Sequence, residues 1–185
     1  MLVDLSGRDP NGDPLGEPTE TFVSSSTIQF SSTGGQSHLD LIADGVYAAD
    51  LDGTPLDPAA FSHNRFPFTT EPGTHEITVT ALCRYSHSGE GLHRFVDPAD
   101  GKVYLYTQFE IADARRMYAD FEQPDQKMTF ELQVIAPTGW TIVSNSPAPE
   151  PTEGPWEGMS RWSFEPTLPI STYLTALVAG EYHVD

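Results

Sequence analysis

Residues 128–136 read MTFELQVIA. Met128, Phe130, Leu132 and Val134 fall on one side of an extended chain, and Thr129, Glu131 and Gln133 on the other. The reason is geometric, since successive side chains of a strand point to opposite faces. An apolar row backed by a polar row predicts a strand with one face on a core and the other in water.

Outward from this stretch the same period recurs in short runs. Strands are expected at Thr21–Ser31, Ser37–Ile42, Val46–Leu51, Thr74–Ser86, Leu92–Val96 and Val103–Glu110, then at Trp140–Ser144, Met159–Glu165 and Thr172–Ala179. The 16 Pro and 15 Gly residues punctuate them, as turn formers do between strands. Asp97–Gly101, DPADG, predicts the turn of a hairpin. Asn145–Pro155 predicts a surface loop, and the polar Gly7–Thr19 a mobile one. No run of a dozen residues keeps a helical period, apart from a single turn at Ala112–Tyr118. No internal repeat is visible. The expected fold is all-β: a saddle-shaped β-sandwich of mainly antiparallel sheets with at most one short helical turn, forming one domain over residues 1–185.

Composition removes several functions. Nine Lys and Arg stand against 27 Asp and Glu, a net charge of −18. Phosphate backbones and anionic membranes need basic patches, so neither nucleic acid nor a membrane surface is an expected partner. Cys83 is the only cysteine, which excludes an internal disulfide. It alternates with Ile77, Val79, Ala81 and Tyr85 in a predicted strand, the setting of a buried small hydrophobe rather than a nucleophile. The chain shows no secretory leader and no apolar run long enough to span a bilayer, so a cytoplasmic location is expected.

Residues Tyr104–Phe130, YLYTQFEIADARRMYADFEQPDQKMTF, read as a strand, a polar turn and a second strand. The first strand sets Gln108 and Glu110 on one face. The stretch resembles the N-terminal β-domain of the zinc aminopeptidases of the aminopeptidase N family. Its pattern there is T-Q-x-E/Q-x-x-D-A-R-R/K followed by F-x-x-P. Ser88–Pro98 (SGEGLHRFVDP), Gly139–Pro147 (GWTIVSNSP) and Ser171–Gly180 (STYLTALVAG) resemble further family segments in the same order. Val3–Ser6 and Thr27–Phe30 match it more loosely. Tyr118–Pro124, YADFEQP, departs from the family's F-x-C-F-D-E/Q-P, with Asp120 in place of Cys and Glu122 in place of Asp.

The resemblance implies a catalytic domain in the same polypeptide, zinc in that parent enzyme, and removal of N-terminal residues from peptides. It also implies that Glu110 and Gln108 bind the substrate's free amino terminus. A carboxylate beside an ammonium forms a charge-assisted hydrogen bond, and fixing the terminal residue orients the first peptide bond. Asp113, Arg115 and Arg116 either brace the strand that presents Glu110 through ion pairs, the preferred reading, or lie against the catalytic domain. The abrupt start within a strand and the end at the family's domain boundary predict a piece of a larger enzyme, inactive by itself.

No catalytic residue, metal ligand or cofactor is expected on this chain. The family's G-x-M-E-N motif is missing from it. A zinc site of this class needs H-E-x-x-H on one helical face. His75-Glu76 is followed by Ile77, Thr78 and Val79 in a predicted strand, and His87, Glu90 and His93 fall in a Gly-rich hairpin. Asp9, Asn11, Asp13, Glu17 and Glu20 mimic the spacing of an EF-hand loop, but Pro14 takes the place of its glycine. The alternative reading is a non-catalytic β-sandwich module that binds sugar or calcium or docks a protein partner. Trp140, Trp156 and Trp162 are too scattered to predict a carbohydrate platform.

Overall fold

The computed structural model describes residues 1–9 and 11–183. Its strands are β1 Leu2–Asp4, β2 Thr21–Asp40, β3 Gly45–Leu51, β4 Thr54–Leu56, β5 Arg65–Arg84, β6 Gly91–Val96, β7 Val103–Gln108, β8 Gln133–Pro137, β9 Thr141–Ser144, β10 Thr152–Glu153, β11 Met159–Ser163 and β12 Leu177–Gly180. They form an eight-stranded sheet, ordered β10-β11-β8-β1-β2-β5-β3-β4, and a four-stranded sheet, ordered β6-β7-β12-β9. Only β1 and β8 pair in parallel among the strand ladders. The two sheets pack against each other through one apolar core. Val3, Phe22, Leu39, Phe66, Ile77 and Val134 of the large sheet meet Leu92, Leu105, Ile142 and Leu177 of the small one there. The all-β sandwich is therefore the observed fold.

Several element boundaries differ from the sequence reading. The runs Thr21–Ser31 and Ser37–Ile42 belong to one long strand, β2, which crosses Gly34 and Gly35 without ending. Its partner β5 begins at Arg65 and passes Pro67 and Pro72. Both prolines lie where β5 has no β3 neighbour, since β3 pairs only with Ile77–Leu82, and a sheet edge tolerates a missing amide. The expected strand Met128–Ala136 forms a ladder only from Gln133. The strand expected over Thr172–Ala179 starts as a 3₁₀ turn, Thr172–Leu174. There the Thr175 hydroxyl and amide both donate to the Thr172 carbonyl, at 2.8 and 3.1 Å, so hydroxyls divert the backbone from the ladder. The turn expected within Ala112–Tyr118 is a 3₁₀ turn at Ala114–Arg116, and another stands at Pro58–Ala60. No helix among the described residues is long and apolar enough to cross a membrane.

Candidate functional site

β7 is an inner strand of the small sheet, and its ladder ends at Gln108, opposite Gly91 of β6. That is earlier than the polar–apolar period predicts, so Glu110 belongs to the following turn. The stop has a local cause. The Gln108 side chain turns back and its Oε1 accepts from the Glu110 amide at 2.7 Å, replacing a ladder partner. The next peptide bond, Glu110–Ile111, is cis. Exposure nevertheless alternates through the break, with Gln108 and Glu110 in solvent and Phe109 buried between them. A buried aromatic anchor thus holds the two polar residues outward.

The turn beyond is tied down at every step. The Asp113 amide donates to the Phe109 carbonyl at 3.0 Å. Arg116 donates through Nε to Asp113 Oδ1 at 2.6 Å, and its other end faces Glu90 at 3.5 Å. Gly91 makes this arrangement possible. Its φ is +65°, and a Cβ there would stand 2.9 Å from the Arg116 Cβ. Arg116 and Asp113 accordingly brace the segment carrying Glu110, as the sequence reading expected. Arg115 works through its backbone instead: its amide donates to Glu122 Oε2 at 2.8 Å and its carbonyl accepts from Ile42 at 2.7 Å.

Sequence reasoning gave little weight to Asp120, which the structure places at the base of this turn. It is 1% exposed. Its Oδ1 accepts from the Glu122 amide at 3.0 Å, while Oδ2 has no partner among the described residues. Burial first, and the Glu122 charge second, push its carboxyl well above the usual carboxylate range. Glu122 is raised too, by burial, against the pull of Arg115. The signal was present in the replacement of a small neutral Cys by Asp inside an apolar alternation.

The histidines weighed as metal ligands are engaged elsewhere among the described residues. His75 engages both ring nitrogens, Nδ1 with Asp52 Oδ2 at 2.6 Å and Nε2 with the Glu71 carbonyl at 2.8 Å. His93 Nδ1 accepts from the Gly89 amide, and His87 Nδ1 meets the Arg94 carbonyl. Among the described residues, no three His, Cys, Asp or Glu side chains gather closely enough to hold a metal ion. The residues here do not fit the zinc ion of a metallo-aminopeptidase. In the acidic N-terminal loop, Asp9 Oδ1 accepts from the amides of Asn11 and Asp13, both at 2.9 Å. Trp140 and Trp162 pack on the core, and Trp156 lies 5.8 Å from Arg8. Burial pushes the Cys83 thiol up to about 12, which leaves it protonated and inert.

The outer face of the small sheet is unusually apolar. Tyr106 of β7 pairs with His93 of β6 and Val178 of β12, and Val178 pairs with Val143 of β9. Tyr106 is 40%, Val143 46% and Phe95 47% exposed, and Ile111 beside Glu110 reaches 69%. Gln108 continues the Tyr104–Tyr106 side of β7, so this uncovered surface runs up to the candidate residues.

Comparison with known proteins shows which family the sequence resembles. A family model described as the peptidase M1 N-terminal domain matches residues 58–174. Aminopeptidase N of Streptomyces lividans is 47% identical over 185 residues, which cover 98% of this chain and 20% of that protein. Aminopeptidase N of Acetobacter pasteurianus is 38% identical over 69% of this chain and 37% of its own length. That of Bos taurus is 34% identical over 59% of this chain and 12% of its own. The chain thus spans about a fifth of the Streptomyces protein's length.

Proposed function

This chain belongs to the family of peptidase M1 N-terminal domains, and from that premise we propose that it is the substrate-anchoring domain of a cytoplasmic zinc aminopeptidase. Glu110 holds the free α-ammonium group of a peptide, and Gln108 lies beside it as a polar contact. The zinc and the residues that act with it belong to a catalytic domain of the same polypeptide, docked on the apolar outer face of the small sheet. The observation that carries this reading is the outward presentation of Gln108 and Glu110 around buried Phe109, next to that uncovered face. An anion in a desolvated cleft attracts an ammonium far more strongly than in water. It also counts the substrate from its amino end, which favours exopeptidase action over internal cleavage.

The test is a pair of variants in the full-length enzyme. Glu110→Ala should lower kcat/KM for an aminoacyl anilide by roughly 100-fold, in line with loss of a buried charge partner. Glu110→Gln keeps the shape and removes the charge, and should fall between the two. Near-normal kinetics in Glu110→Ala would refute the anchoring role. A docking module without a substrate role would instead leave both variants silent.

A further inference from the structure

The ladder between β3 and β5 ends at Leu51 and Ile77. Beyond it β2 and β5 run on as a ribbon, Ser31–Asp40 against Arg65–Thr74, and His75, opposite Phe30, stands at the joint. The β3–β4 turn closes over this joint. Asp52, at φ +53°, donates its amide to the Glu76 carbonyl at 2.9 Å, and its Oδ1 accepts from the Glu76 amide at 2.8 Å. Its Oδ2 faces His75 Nδ1 at 2.6 Å, while Nε2 of the same ring faces the Glu71 carbonyl at 2.8 Å. The ring packs on Phe30, with centroids 5.8 Å apart, and Phe30 in turn on Phe121 at 5.3 Å. The His75 side chain is 12% exposed.

These partners fix the proton count of the ring. A carboxylate and a carbonyl only accept hydrogen bonds, so both ring nitrogens must donate, and only the imidazolium can do that. A neutral ring, in either tautomer, sets a nitrogen lone pair against an oxygen at 2.6 or 2.8 Å. The charged groups around the ring all act in the same sense. The β3–β4 turn brings Asp50 and Asp52, β5 itself carries Glu71 and Glu76, and the segment behind Phe30 adds Asp120 and Glu122 on either side of Phe121. The facing stretch of β2, Thr27–Thr33, carries no charge. Asp52 is held below the usual carboxylate range, by the Glu76 amide first and His75 second, so it meets the ring as an anion. The hydrogen bond to Asp52 first, and that to Glu71 second, raise His75 above its usual value.

We propose that His75 is a pH-sensitive latch: its imidazolium clamps the β3–β4 turn to β5 across Glu71–Glu76, and loss of the proton releases Asp52 and loosens the joint of the large sheet. The clamp is complete below the unfolded histidine value near 6.5 and is lost as pH rises through the raised folded value. Phe30 connects the latch to Phe121, so the loosening takes place beside the Phe109–Glu122 segment.

The test follows the ring and the two amides it locks. In the chain as described, the His75 ring resonances should titrate above 6.5, and Asp52→Asn should move that transition to lower pH. Hydrogen exchange of the Asp52 and Glu76 amides, corrected for the intrinsic rate at each pH, should lose about tenfold or more in protection between pH 6 and pH 9. His75→Gln carries no titrating ring, so its protection should not change over that range. A His75 transition at or below the ordinary histidine value overturns the latch. So does a transition that Asp52→Asn leaves in place, or a loss of protection that His75→Gln shares. If His75→Gln does not fold, Asp52→Asn decides, because there the loss of protection must shift to lower pH together with the ring.

Discussion

Asp120 shows how one residue can set the pH response of the fold. Its carboxyl is buried, one oxygen caps the Glu122 amide, and the other has no partner among the described residues. Burial and the neighbouring Glu122 and Asp40 raise its pKa in the folded state, with Arg115 opposing. The folded chain therefore holds this proton more tightly than the unfolded chain does. The resulting stabilisation is complete below the unfolded carboxylate value near 3.8 and is lost as pH rises through the raised folded value. Asp120→Asn keeps an acceptor for the Glu122 amide and turns the second oxygen into a donor among acidic neighbours. It should stabilise the chain at pH 7.5 by roughly 1–3 kcal/mol, the range for relieving a buried unmet polar group. At pH 4 the gain should shrink. Thermal melts of both proteins at the two pH values check this, and a gain independent of pH would show that Asp120 is not the titrating group.

At the scale of elements, the segment from Phe109 to Glu122 fastens the small sheet to the large one. Tyr118 is buried, and its hydroxyl donates at 2.8 Å to Thr175 Oγ1 or at 3.3 Å to the Thr172 carbonyl. Asp40 and Asp120 exchange backbone hydrogen bonds at the far end. Tyr118→Phe removes a buried hydroxyl while preserving the ring contacts with Phe109 and Phe130. Urea titration should show a loss of about 1–2 kcal/mol with an unchanged slope; a larger loss with a changed slope would mean that the two sheets come apart separately. The same segment shows what the sequence could reveal. Alternation reports which residues share a face, so it set Gln108 and Glu110 together, and the structure buries Phe109 between them. It does not report pairing, which stops at Gln108 because that side chain takes the Glu110 amide. For the same reason Met128–Leu132 reads as a strand yet forms no ladder, since β1 meets the segment only from Gln133 onward. The edge portion of β5 was hidden by Pro67 and Pro72, whose tolerance depends on where β3 ends. Those are facts of tertiary neighbourhood and leave no local trace.

For the whole molecule, two surface properties pull in different directions. The charge of −18 keeps the chain soluble and self-repelling, while the outer face of the small sheet carries exposed Phe95, Tyr106 and Val143. On the proposed reading, this apolar face on an otherwise acidic surface is where the catalytic domain docks. Replacing Tyr106 and Val143 together by Lys separates the two properties. It brings the charge from −18 to −16, so self-repulsion in the isolated chain falls slightly. Both side chains project away from the core, and exposed substitutions usually change stability by no more than about 0.5 kcal/mol. The isolated chain should therefore melt almost as before. In the full-length enzyme the two ammonium groups would be buried against the catalytic domain, which should lower the melting temperature by several degrees and raise KM by misplacing Glu110. Calorimetry of both forms checks the prediction. A loss confined to the isolated chain would mean that the face is held by this domain's own packing, and equal melting of wild-type and variant full-length enzyme would place the domain contact elsewhere.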